Sequence, residues 1–126
     1  MKKKSFAFTI NTLEQAEKII LESRIYNFKP ILHFKSYILG GFGSDFISSF
    51  IKILNSKYGK SSFNLYIDCG YDHGLCINMI TKKIEYIKLK GNKVVLSKIR
   101  NIADKNRVLL NHSFNIVDCR NRKNIK

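Results

Sequence analysis

Five short runs rich in β-branched and aromatic residues recur along the chain: Ser5–Ile10, Ile31–Leu39, Phe63–Cys69, Ile84–Lys90 and Val108–Asn111. Between them, apolar residues repeat at helical rather than strand spacing. Leu13, Ala16, Ile19 and Ile20 form one stripe after Asn11-Thr12, with Thr12 and Gln15 at capping-box spacing. Phe46, Ile47, Phe50, Ile51 and Leu54 form a second; Leu75, Met79 and Ile80 a short third; Val95, Ile99 and Ile102 a fourth. Strands that alternate with helices build βαβ units, and these assemble into a mainly parallel sheet through right-handed crossovers. The reading is therefore an α/β single domain of about four βα units plus a fifth strand. A chain of 126 residues is long enough for one such core. Residues 1–114 are assigned to the domain and 115–126 to a basic C-terminal tail, in which Ile116-Val117 is the one place where a further strand fits.

The strands carry a second signal. A strand covered by helices on both sides is apolar throughout. Here one face reads Phe6, Phe8, Ile10; Leu32, Phe34, Ile38; Phe63, Leu65, Ile67; Ile87, Leu89. The other reads Thr9; His33, Lys35, Tyr37; Asn64, Tyr66, Asp68; Tyr86, Lys88, Lys90. Sequential strand order with every crossover right-handed puts the helices mostly on one face, the apolar one. A flavodoxin-like doubly wound sheet is the alternative. Aromatic rings mixed with charge are too apolar for a fully wet surface and too polar for a dry core. The second face is thus expected to line a cleft or to meet a second copy of the chain, with homodimerisation the simplest form of that contact.

The formal net charge is +14. A surplus of this size is the electrostatic footprint of an anionic partner, or the result of a composition rich in Ile, Lys and Asn. The lysines are scattered, apart from Lys2-Lys3-Lys4 and the tail Arg120–Lys126, and lysine outweighs the arginine that suits bidentate phosphate contacts. Nucleic acid is therefore not the favoured partner. Cys69, Cys76 and Cys119 are odd in number and show no C-x-x-C spacing, which reads as reduced thiols in a cytoplasmic protein. The apolar run after Lys4 is too short for a signal peptide, and no stretch reaches membrane-spanning length. No membrane role is expected.

Chemistry-bearing residues concentrate where the third strand ends, at Asp68-Cys69-Gly70-Tyr71-Asp72-His73-Gly74. Carboxyl ends of strands collect ligands in α/β sheets, and a helix start there attracts anions. Alternation turns Cys69 into the core and Asp68 onto the polar face, so Asp68 is the best candidate for a catalytic role and Cys69 a core residue. Asp72 is placed to cap the third helix. The ligand-binding candidates are Asp68, Gly70, Asp72 and His73 here, Tyr66 beside them, and Lys88 and Lys90 on the fourth strand. Gly40, Gly41 and Gly43 follow the second strand as a phosphate-cradling turn, with Ser44 or Asp45 capping the next helix. They match neither a P-loop nor a dinucleotide fingerprint. His33, His73 and His112 lack metal-ligand spacing, so no metal site is assigned.

The pattern Asp68-Cys69-Gly70 through Gly74-Leu75 to Ile102-Ala103-Asp104 resembles short uncharacterised bacterial α/β proteins with a D-C-G-x-x-x-G-L turn, a resemblance that implies no activity. A phosphoacceptor receiver domain shares the Asp at the end of strand three. It requires an acidic pair where Asn11-Thr12 stands, a hydroxyl at Lys90-Gly91-Asn92 and a lysine at Asn111-His112, and that reading is rejected.

Three functions follow. The first is a binding or regulatory domain holding an anionic small ligand or a partner protein. The second is a small enzyme acting on a phosphorylated or carboxylated metabolite, with Asp68 as general base and Lys88 or Lys90 as electrophile. The third is a basic RNA-associated protein that stacks bases on Tyr37, Tyr66 and Tyr86 beside Lys35 and Lys88. No cofactor is assigned.

Overall fold

The computed structural model describes residues 6–118, with the backbone alone for residues 36–45. Strand β1 (Phe6–Thr9) leads into α1 (Leu13–Tyr26). Thr12 Oγ1 accepts the Gln15 N–H at 3.2 Å, and Gln15 Oε1 accepts the Thr12 N–H at 3.2 Å. Two amide donors that the first helical turn leaves over are thereby satisfied. Asn27 ends the helix in the left-handed conformation, and the buried Pro30 starts the return to β2 (Ile31–Phe34). Helix α2 (Ser36–Tyr58), β3 (Asn64–Asp68), α3 (His73–Thr81), β4 (Tyr86–Lys88), α4 (Lys93–Lys105), β5 (Leu109–Leu110) and β6 (Asn115–Asp118) follow.

All pairings are parallel, in the order β5-β4-β3-β2-β1-β6. The main core lies between one face of this sheet and all four helices. Phe8, Leu32, Phe34, Leu65, Ile67, Ile87 and Leu89 from the strands meet Ile19 and Ile20 of α1, Ile47, Phe50 and Leu54 of α2, Met79 and Ile80 of α3, and Ile99 of α4. The helices therefore share one face, as the alternation requires, and the sheet is not doubly wound.

Two expected boundaries move. The second strand stops at Phe34, and Ser36 already belongs to α2. Gly40, Gly41 and Gly43 accordingly lie inside a helix and form no phosphate-cradling turn, and Ser44 and Asp45 do not cap its start. Each interior glycine costs a helix about 1 kcal/mol relative to alanine. Tertiary burial of Ile47, Phe50 and Leu54 further along the same helix outweighs that local preference. The segment after residue 114 contains β6, which pairs with β1 from Phe6↔Asn115 to Thr9↔Asp118. Residues 119–126, the rest of the expected tail, lie outside the described residues.

The β5–β6 connection determines the shape of the sheet. These strands sit at opposite edges, yet only Asn111–Phe114 separate them. A flat sheet would hold them about 24 Å apart, at about 4.8 Å per strand. Five residue steps reach at most about 18 Å. The sheet must therefore curl, and the connecting segment crosses its concave side, opposite the helices. Phe114 packs there with Ala7, Ile31, Tyr66 and Tyr86 as a second, smaller core.

Candidate functional site

Parallel pairing sets the concave side chains in level rows, because alternate residues of each strand share a face. Thr9 pairs with His33 and with Asp118, His33 with Tyr66, and Tyr66 with Tyr86. Asp118, Thr9, His33, Tyr66 and Tyr86 thus form one row across five strands. Two residues further toward the carboxyl ends stand Lys35, Asp68 and Lys88, the last two paired in register. Lys35 Nζ lies 3.9 Å from Asp118 Oδ2, joining the rows at the β6 edge.

The middle of the lower row is buried and polar. Thr9 is fully buried, His33 is 5% exposed, and a hydrogen bond of 2.8 Å links Thr9 Oγ1 to His33 Nδ1. The imidazole stacks on Tyr66, with ring centroids 4.6 Å apart. Burial pushes the His33 pKa down to about 4, although Asp68 opposes this. The ring is therefore neutral at physiological pH. Burial, and then the Asp68 carboxylate, push the Tyr66 hydroxyl up to about 12, so it keeps its proton.

Above the row, a cleft of about 390 Å³ opens between Tyr66, Lys88 and Leu89 of the sheet and the crossing segment Asn111–Phe114, with Ile116 at its side. The segment is anchored at both ends. Asn111 takes the left-handed conformation, and its side chain accepts the Leu89 N–H at 2.8 Å and donates to the Leu89 carbonyl at 3.1 Å. One side chain thus continues the sheet ladder where β5 has ended. At the other end, Phe114 lies 4.8 Å from both the Tyr66 and Tyr86 rings and 4.9 Å from His112.

The sequence-predicted residues separate into groups. Tyr66 and Lys88 line the cleft. Asp68 stands in the row of Lys88, outside the cleft lining, and its Oδ1 accepts the Gly70 N–H at 2.9 Å. Gly70 has φ +59°, which explains the glycine at that turn, and its carbonyl accepts the Lys90 N–H at 2.7 Å. Asp72 caps α3 by accepting the Leu75 N–H at 3.0 Å. His73 lies against the next loop, where a Cβ added at Gly91 would come within 3.3 Å of its Nε2. Lys90 is exposed, 5.8 Å from the centre of the Tyr71 ring. Gly40, Gly41 and Gly43 are in α2.

Cys69 and Cys76 are free and buried. Their mutual hydrogen bond, followed by burial, pushes the Cys69 thiol up, which removes it as a nucleophile. Cys119 is outside the described residues. Asn111, His112, Ser113 and Phe114 were not among the predicted site residues. One signal does exist: too few residues separate the fifth strand from Ile116-Val117 for a parallel crossover between neighbouring strands. The chain matches no protein-family model and no curated protein. Among the described residues, no helix is long and apolar enough to cross a membrane.

Proposed function

We propose that the protein is a binding domain for an anionic small molecule, held in the cleft between β4 and the crossing segment. The observation that carries this reading is that Lys88, a half-buried lysine at the carboxyl end of the sheet, lines a concave space together with His112, Ser113 and Phe114. Its size falls at the small end of the ~300–1,000 Å³ typical of ligand sites. Helices also begin at this end of the sheet, so their macrodipoles favour negative charge there. A lysine set in a concave, half-buried position attracts an anion more strongly than the scattered surface lysines do, since less water screens the pair.

The enzymatic alternative, with Asp68 as base, draws less support because that carboxylate stands outside the cleft lining and is engaged by Gly70. The RNA alternative is weakened by Tyr66, a residue only 6% exposed whose ring packs against His33 and Phe114. Tyr37 has no described side chain. Phe114 also supplies the cover for Tyr66 and Tyr86 from within the chain, so those tyrosines no longer call for a second copy.

The test is an amide chemical-shift titration of the full chain with inorganic phosphate at about 0.15 M salt, where surface attraction is screened within ~8 Å. Shifts should concentrate at Lys88 and residues 111–114 and vanish in Lys88→Met. Shifts spread over the helix-layer lysines, unchanged by Lys88→Met, would refute the reading.

A further inference from the structure

The cleft has two walls of different chemistry. One carries Lys88 and Ser113. The other carries His112 and Phe114, which lie 4.9 Å apart and are backed by Tyr86 from behind the lining, 4.8 Å from Phe114 at 88° and 5.6 Å from His112. His112 is exposed and Phe114 is only partly buried, so the ring wall is not sealed by the rest of the chain. Such clusters gain most from a further flat ring, because offset and edge-to-face contacts use the quadrupole of each partner. A purely charged ligand would leave this wall wet, and a purely apolar one would desolvate Lys88 without a counter-charge.

We infer that the ligand class of this cleft is a planar ring bearing one anionic group, with the ring against Phe114 and His112 and the anion toward Lys88 and Ser113. This rests on the reading of the cleft as a ligand site and narrows it.

Benzoate and cyclohexanecarboxylate carry the same charge on six-membered rings that differ in planarity, so comparing them isolates the ring term. Titration of the full chain with each, followed by amide shifts, should give benzoate about two- to twelvefold tighter binding, since aromatic pairs are worth about 0.5–1.5 kcal/mol beyond area burial. Phe114→Leu should lower that preference toward unity. Phenyl phosphate, run in parallel, distinguishes a carboxylate from a phosphate as the anionic group. Equal binding of the two carboxylates by the unaltered protein, each still lost in Lys88→Met, would overturn the planar-ring inference and leave the anion site standing. Absence of any Lys88-dependent shift with every probe would overturn both.

Discussion

Acid should weaken this fold through His33 in a narrow window. The imidazole is 5% exposed, bonded to Thr9 and stacked on Tyr66, and the folded protein resists its protonation until about pH 4. In the unfolded chain the same ring takes a proton near its ordinary value of 6.5. Between those two values the unfolded state binds more protons, so stability falls as the pH drops from 6.5 to about 4, and this group adds no further loss below that. A gap of about 2.5 pH units at 1.36 kcal/mol per unit amounts to roughly 3 kcal/mol. The charges around the ring act in both directions: Asp68 on β3 and Asp118 on β6 favour the imidazolium, while Lys35 and Lys88 oppose it. Urea denaturation of the wild type and His33→Asn, at several pH values from 4 to 7.5, isolates the contribution. Asparagine keeps a polar atom near the Nδ1 position but does not titrate. The stability advantage of the wild type should grow by about 3 kcal/mol as the pH rises through the window. A difference that stays flat, or a His33 pKa measured by NMR at or above 6.5, would refute the reasoning.

Three further outcomes are expected. Asn111→Ala removes both bonds to the Leu89 backbone and should cost about 2–3 kcal/mol in denaturant unfolding, because a buried N–H and C=O lose their partners. Asn111→Gly, which keeps the left-handed backbone available, should recover only part of that loss. Asp68→Asn retains an acceptor for the Gly70 N–H, so thermal unfolding should shift by no more than about 5 °C; a collapse would make the carboxylate charge itself structural. Phe114→Ala opens the second core and should cost about 2 kcal/mol, with a change in the near-ultraviolet circular dichroism of Tyr66 and Tyr86.

Much of the fold was legible in the sequence because local periodicity and global topology agree. The alternation of Leu65, Ile67 with Tyr66, Asp68, and of Ile87, Leu89 with Tyr86, Lys88, identifies the helix-covered face, and the helices pack there. The capping residues Thr12 and Asp72 were readable from spacing and short polar side chains. The second strand and its glycine run were misread because Ile31–Leu39 is apolar enough to pass as either element. The helix is decided by burial of residues well downstream, Ile47, Phe50 and Leu54, and not by the propensity of the glycines. In the candidate site, Tyr66 and Lys88 were accessible to strand alternation, whereas Ser113 and Phe114 were not. Their role depends on where β6 pairs, which is a long-range choice. The short gap before Ile116-Val117 constrains that choice only when a sixth strand is assumed.

The most direct test of the ligand site is the location of a bound probe. In the isotope-labelled full chain saturated with benzoate, intermolecular nuclear Overhauser effects should run from the ligand ring protons to Phe114 and Ile116, apolar residues that line the cleft with Lys88. Contacts instead to exposed helix side chains such as Lys98 or Lys105 of α4, with none to Phe114, would contradict the account.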